Sequence, residues 1–335
     1  MQKKNSATIY DVAHRVGVSL ATVSRVVNGN SNVRDSTKRK VLDAIEELGY
    51  HPNAVARGLA SKKTTTIGVV MPDITDVYYS ELARGIDDVA NMYHYDVLLT
   101  NTDEDPVRET MAVNNLASKQ VDGIIFMGNE LDHEVVNTIS GVNAPVVLAG
   151  SVDSEKKLPS VNIDYVEAIK EAMEAVIKNG HDRVAIVTGP VEHAINGMHR
   201  LVGYKKALEE AQIEFDDSLL FSTHQDYAAG LQVAEKILAT GATAALTYDD
   251  EVAVGIMNYL RDHGKKIPED FEIITSNDTK FTIITRPQVT SIGQPKYDIG
   301  AVAMRMLTKL MNNETIELTQ VKLPHTLERR GTTLN

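Results

Sequence analysis

"TIYDVAHRVGVSLATVSRVVNG", residues 8–29, holds two short helical patterns that meet at a turn around Gly17. Thr8 stands at a capping position, and Ile9 to Val16 sets Val12, Ala13 and Val16 on one face. Gly17 supplies the left-handed residue that stops a helix. Val18 fills the corner and Ser19 caps a second helix, Leu20 to about Asn28, with Val23, Val26 and Val27 inward and Thr22, Ser24 and Arg25 outward. A third helix is expected from Ser36 to Leu48, with Val41, Leu42, Ile45 and Leu48 as its buried stripe and Gly49 as its end. Two short helices joined by a tight glycine turn describe a helix-turn-helix. Its second helix would enter a major groove, with Leu20, Ala21 and Arg25 at base edges. Thr8, Tyr10, Ser19, Thr22, Ser24 and Asn28 are suited to phosphate oxygens.

Charge agrees with that reading. Residues 1–63 carry eleven Lys and Arg against five Asp and Glu, whereas the rest carries 23 against 41, within a net charge of -12. A basic head on an acidic body confines contact with a polyanion to the head. At 335 residues, with 43% apolar residues, the chain is long enough for two or three folded units. No apolar run is long enough to span a bilayer, the start lacks the apolar core of a secretory signal, and there is no Cys. A cytoplasmic protein without membrane contact is expected. Absent Trp and 5% aromatic residues argue against stacking platforms for single strands.

After the head comes "HPNAVARGLASKKTTT" (51–66). Pro52 and Asn53 can open a helix, but Ala54 to Ser61 is too short to persist alone in water, so it is a linker or a segment that folds on binding. Leu59 is out of place in a linker, and a wedge between base steps of a minor groove would account for it. Together, "TIYDVAHRVGVSLATVSRVVNG" and "PNAVARGL" closely resemble the LacI/GalR family of bacterial transcription regulators. The resemblance implies a homodimer on a pseudo-palindromic double-stranded operator, each head reading one half-site while paired hinge helices intercalate the leucine matching Leu59. Thr8, Tyr10, Ser19, Leu20, Ala21, Thr22, Ser24, Arg25 and Asn28 match that family's DNA-contacting positions. Ala54, Val55, Ala56, Arg57 and Leu59 match its hinge, and Asn53 joins Ala54, Ala56, Arg57 and Leu59 as a candidate DNA contact.

From Thr66 the pattern changes to apolar strands alternating with amphipathic helices: "TIGVVM" (66–71), "DVLLT" (96–100), "GIIFM" (123–127), "PVVLA" (145–149), "VAIVT" (184–188), "TAALT" (243–247) and "EIITS" (272–276). Helical periodicity runs, for example, over 80–91 and 194–212. This is an α/β pattern of parallel sheets, with too many strands for one small sheet, so two doubly wound lobes are expected with a break near "PSVNIDY" (159–165). The resemblance implies a core like periplasmic sugar-binding proteins, with crossings near 162, 290 and 321. The expected organisation is a head over 1–50, a hinge and linker over 51–63, an N-lobe over 64–162 plus 291–321, and a C-lobe over 163–290 plus 322–335.

Ligands of open α/β sheets sit beyond the carboxyl ends of the strands, which places Asp73, Arg200, Asp249, Asn277 and Asp278 as cleft candidates. Loop and cap roles explain such Asp and Asn residues equally well. Arg200, Asp249 and Asn277 match effector positions of sugar-responsive family members, although many of those carry an acid where this chain has Asn277. In "YDIGAVAMRMLTKLM" (297–311), Ile299, Ala303, Met306, Leu307 and Leu310 form the inner face. Asp298, Val302, Arg305 and Lys309 form another, with two cations one turn apart. Such a pair suits a phosphate, though by spacing alone a solvated face is the commoner explanation. This stretch resembles the branch of the family devoted to carbon catabolite control, whose corepressor is a protein: the histidine-containing phosphocarrier of the sugar phosphotransferase system, phosphorylated on a serine. Its phosphoserine contacts match Arg305 and Lys309, with Tyr297, Asp298 and Val302 nearby and a helix over 81–93 completing the surface. A partner bridging the lobes would then set hinge spacing. Small phosphorylated sugars are a further candidate ligand, and the alternative is a sugar-responsive repressor controlled by its cleft alone.

No enzyme is expected, and no cofactor, metal or catalytic residue. There is no GxG, no GxSxG, and no HxxxH among ten His. A glycosidase would need facing carboxylates, and Asp249 and Asp250 are sequence neighbours that point differently.

Overall fold

The computed structural model describes residues 7–27, 32–50, 63–128, 131 and 133–334. The chain forms two compact units, 1–64 and 65–335. In the first, α1 (Ile9–Val16), α2 (Leu20–Val27) and α3 (Asp35–Leu48) pack around Val12, Val23 and Val41, each with no exposed surface. Gly17 sits at φ 72°, ψ 35° and its N–H reaches the Ala13 carbonyl at 2.9 Å, closing α1 in a conformation that a Cβ disfavours. Leu42, expected inside, is 47% exposed, and Ala44 is buried beside Val41. Successive helical residues rotate by about 100°, so Leu42 turns out of the stripe that Val41, Ala44, Ile45 and Leu48 share.

The second unit carries two six-stranded sheets among the described residues. One contains β1 (Thr66–Met71), β2 (Asp96–Asn101), β3 (Gly123–Phe126), β4 (Val146–Ala149), β5 (Ser160–Ile163) and β11 (Gln320–Leu323), in the order β2-β1-β3-β4-β5-β11. The other contains β6 (Val184–Thr188), β7 (Leu220–Ser222), β8 (Ala244–Thr247), β9 (Glu272–Thr275), β10 (Thr290–Gly293) and β12 (Thr326–Glu328), in the order β7-β6-β8-β9-β10-β12. All pairs are parallel except β10 with β12. Helices cover both faces, so inner strands such as β3, β4, β8 and β9 are buried at every residue and read as unbroken apolar runs. The helices are α4 (Val77–Met92), α5 (Pro106–Ser118), α6 (His133–Gly141), α7 (Tyr165–Lys178), α8 (Leu201–Glu210), α9 (Tyr227–Ala239), α10 (Asp250–Asp262), α11 (Lys280–Ile284) and α12 (Lys296–Met311). The expected helix over 194–212 is instead a π-helical turn, Ile195–Arg200, leading into α8.

The chain passes between the sheets three times: from β5 into α7, from β10 into α12, and from β11 into β12. Residues 290–293 bond to β9 and β12, and residues 320–323 bond to β5. The second and third passages therefore fall a few residues beyond 290 and 321, because the ladders continue to Gly293 and Leu323. No helix among the described residues is long and apolar enough to cross a membrane.

Candidate functional site

The head presents one polar face built on α2. Ser19 Oγ accepts the Thr22 backbone N–H at 3.2 Å, which satisfies a free donor of the helix start. Leu20, Ala21 and Arg25 then lie exposed along the outside, Thr22 and Ser24 are half-buried, and Tyr10 is 67% exposed on α1. Thr8 departs from a simple cap. Its N–H and its hydroxyl both donate to the Asp11 carboxylate, at 2.8 and 2.7 Å. The backbone bond from Thr8 holds the Asp11 carboxyl below the usual carboxylate range. Asn28 and the hinge candidates Asn53, Ala54, Ala56, Arg57 and Leu59 lie outside the described residues.

In the larger unit, α12 packs against α4 at a close approach. A Cβ on Gly300 would stand 2.0 Å from the Leu82 carbonyl oxygen, and one on Gly85 2.0 Å from that of Tyr297. Ile299, Ala303, Met306 and Leu307 face the interior, while Leu310 is partly buried. Tyr297, Asp298, Arg305 and Lys309 are exposed and Val302 is half-buried. Tyr297 donates to Asp88 at 3.2 Å, and Asp88 also pairs with Arg84 at 2.9 Å. Desolvation, with that carboxylate's charge and hydrogen bond adding to it, pushes the Tyr297 phenol up. Arg305 and Lys309 are held by no ion pair or hydrogen bond among the described residues. Both helices belong to the first sheet's layer, so this surface lies on one lobe and does not bridge the two.

Between the lobes lies a cavity of about 410 Å³ at the carboxyl ends of the strands. One lobe supplies Asp73, Asp76, Asp103 and Glu104 to its wall, the other Asp226, Asp249, Asp250 and Glu251, and among the described residues no Lys or Arg lines it. Several of these acids serve the backbone. Asp76 caps α4 through Tyr78 N–H at 2.7 Å, Asp226 caps α9, and Asp249 caps α10 through the Glu251 and Val252 N–H groups. Burial pushes the Asp249 carboxyl up to about 7, with the adjacent Asp250 charge adding to the effect. Burial likewise pushes Asp76 up to about 6. A second cavity of about 400 Å³ adjoins it, sharing Asp103, Glu104 and Gln225 and reaching Asn196 and Tyr248.

The five cleft candidates separate. Asp73 and Asp249 line the first cavity. Arg200 lies behind the wall, 6% exposed, donating to Asn196 Oδ1 at 2.7 Å. Its guanidinium carbon stands 5.7 Å from the Tyr165 ring centre and 5.5 Å from that of Tyr248, and its Nε is buried without a partner. Asn277 is buried, with Nδ2 3.5 Å from Asp249 Oδ2. Asp278 lines neither cavity of the cleft, and its Oδ1 accepts from Arg330 at 2.6 Å and from Thr282 at 3.0 Å within its own lobe. Sequence reasoning missed Asp76, Asn196 and the two tyrosines around Arg200. An aspartate just before a helical period is a cap signature that marks Asp76; nothing in the pattern marks the others.

Residues 8–53 match the family model "Bacterial regulatory proteins, lacI family", and residues 64–330 match "Periplasmic binding proteins and sugar binding domain of LacI family". Catabolite control protein A of Streptococcus mutans is 53% identical over 333 residues, covering 99% of this chain and all of that one. Its counterpart from Priestia megaterium is 48% identical, covering 98% and 99%. Among solved structures, the transcription regulator CcpA of Lactococcus lactis is 43% identical with a TM-score of 0.77, covering 80% of this chain and 99% of that one. The lac repressor dimer bound to operator and an anti-inducer is 27% identical with a TM-score of 0.89, covering 99% and 100%. With a helix-turn-helix head and a two-lobed binding-protein core in one polypeptide, the chain is a DNA-binding transcription regulator rather than an enzyme, and it belongs to the LacI family.

Proposed function

We propose that this regulator acts in the cytoplasm as a homodimer on pseudo-palindromic operators of carbon catabolite genes, and that a seryl-phosphorylated phosphocarrier protein promotes its DNA binding. The carrying observation is the pair Arg305 and Lys309, exposed one turn apart on α12 without an acid partner among the described residues, on an otherwise acidic body. A phosphoserine brings about -1.5 to -2 charges, which Arg binds as a fork and Lys as a point charge. Tyr297, Asp298 and Val302 frame the pair. The curated relatives carrying the name catabolite control protein A support the assignment. Dimerisation is favoured by exposed apolar side chains on both lobes: Leu99 on edge strand β2 with Val107 and Met111 on α5, and Ile283 and Ile284 in α11. On the DNA, Leu20, Ala21 and Arg25 would read base edges, Thr8, Tyr10, Ser19, Thr22, Ser24 and Asn28 would hold phosphates, and the hinge with Leu59 would wedge the centre. The acid wall of the cleft disfavours phosphorylated sugars as ligands there.

The test measures operator binding by fluorescence anisotropy with phosphorylated and unphosphorylated carrier. The phosphorylated carrier should tighten binding, and Arg305→Ala should weaken carrier affinity by about tenfold to a hundredfold. Equal affinity for both carrier forms, or an unaltered Arg305→Ala, overturns the proposal. Control by a neutral sugar in the carrier's absence would favour the cleft-controlled alternative.

A further inference from the structure

The two cavities of the cleft lie towards the β1–β2 end of the first sheet. At its opposite edge, over β5 and β11, is a third cavity of about 270 Å³ that shares no lining residue with them. Its walls come from the loop after β4, from the passage of the chain into α7, and from Met198 and His199 on the π-helical turn of the other lobe.

Most polar groups there are already satisfied. Asp153 accepts the backbone N–H groups of Glu155, Lys157 and Leu158 at 2.7–3.0 Å. Asp164 caps α7 and accepts Lys322 at 2.6 Å, and Ser160 donates to Gln320 at 2.7 Å. Three demands remain open. Asn162 is 6% exposed and gives its Nδ2 to the Ser151 carbonyl, leaving Oδ1 buried with no donor. Lys156 is exposed and pairs with no acid among the described residues. Burial, with the charges of Lys322 and Lys156 adding to it, holds the nearby His199 imidazole below its usual range. Finally, Tyr165 and His199 meet edge to face, 6.4 Å between centres, beside Val152, Ile163 and Val321.

An orphaned acceptor wants an O–H or N–H, an ammonium at the mouth wants an anion, and an apolar, ring-bearing wall wants a flat body. The volume suits a single ring with short substituents. We infer that this cavity is a second ligand site, taking a small ring-bearing carboxylate that also carries a hydroxyl or amine donor. The carboxylate meets Lys156, the ring lies against Tyr165 and His199, and the donor reaches Asn162 Oδ1. Such a ligand touches both lobes, and Tyr165 also lies beside Arg200 of the effector region.

Isothermal titration of the full chain with 4-hydroxyphenylacetate tests this, with 4-ethylphenol as the uncharged control. One saturable site per chain is expected for the acid, with at least about tenfold weaker binding of the phenol. Lys156→Glu and Met198→Trp, both altering exposed side chains, should each weaken the acid by a similar factor, while the cleft variant Asp249→Asn should leave it unchanged. No saturable binding at millimolar acid, equal binding of acid and phenol, undiminished binding in both Lys156→Glu and Met198→Trp, or loss in Asp249→Asn overturns the inference.

Discussion

Lys296 ties the surface helix α12 to the opposite lobe, and replacing it with methionine tests whether that tie carries stability and coupling. Its side chain is 6% exposed at the first residue of α12. Nζ donates to the carbonyls of Asn277 and Asp278 at 2.7 and 2.8 Å, beyond the end of β9 in the second sheet, and stands 3.4 Å from Glu81 on α4. Methionine keeps most of the apolar stem but deletes the charge and both bonds. Hydrogen bonds from a charged donor contribute about 1.5–3 kcal/mol each. Releasing the ammonium from burial returns part of that, so a net loss of about 2–4 kcal/mol is expected. With a urea slope near 3 kcal/mol/M, the unfolding midpoint should fall by about 1 M. On the proposed function, carrier affinity should persist, because Arg305 and Lys309 are untouched, while the proposed enhancement of operator binding by the carrier should shrink. A midpoint within about 0.2 M of the parent, together with undiminished enhancement, would refute the reasoning.

Gly300→Ala would place a methyl 2.0 Å from the Leu82 carbonyl oxygen; overpacking of about 1–3 kcal/mol outweighs the roughly 1 kcal/mol gained in helix propensity, so urea unfolding should shift down. For Asp249, whose folded carboxyl is raised from 3.8 to about 7, the folded state binds the extra proton, so stability falls as pH rises from about 4 to about 7, by at most about 4 kcal/mol. Asp249→Asn keeps a capping side chain and should melt higher than the parent at pH 8 but alike at pH 4, as read by thermal unfolding across pH. Arg25→Ala should cost about 1–3 kcal/mol on the preferred operator and relax base preference at one position, measured by anisotropy on a substituted operator panel at fixed salt. Gly17→Ala should destabilise the head by about 1 kcal/mol because φ is 72° there, seen as earlier loss of operator binding on heating.

The inner strands were legible because burial on both faces leaves little but Val, Ile, Leu and Ala: "GIIF" in β3 and "AALT" in β8 announce themselves. Some other strands did not. β7, β11 and β12 are three or four residues long and partly exposed, so "LFS", "QVKL" and "TLE" show neither an apolar run nor clear alternation. β5, "SVNI", is wholly buried but carries Asn162, a polar residue whose amide is used on Ser151, and so it resembled a break. The α12 surface follows helical spacing closely enough that exposure of Arg305 and Lys309 was predictable, whereas Leu42 shows that one residue of phase separates core from solvent. Arg200 was visible as a type but not as a placement. Its position between two aromatic rings depends on the π-helical turn and on Tyr165 and Tyr248, residues 35 and 48 positions away in the chain, a contact that local pattern cannot encode.

The acid wall of the cleft follows from the same topology that creates the cleft. In a doubly wound sheet each strand ends at the carboxyl edge and hands the chain to a helix whose first N–H groups lack partners. Aspartate is among the best side chains for that position, and Asp76, Asp226 and Asp249 occupy it on α4, α9 and α10. Capping therefore accumulates carboxylates where the lobes face each other, and Asp103, Glu104 and Glu251 add to them, with no lining cation among the described residues to offset the charge. An anionic ligand would have to enter against that field, with Arg200 buried behind the wall. The outer face of α12 has no such constraint. Its capping needs lie at Pro295, two turns or more from Arg305, so two cations can stand there without acid neighbours on their own helix face beyond Asp298. A regulator built on this fold that is to respond to a phosphate has better electrostatics for it on the flank of the lobe than in the cleft, which supports the proposed contact on α12.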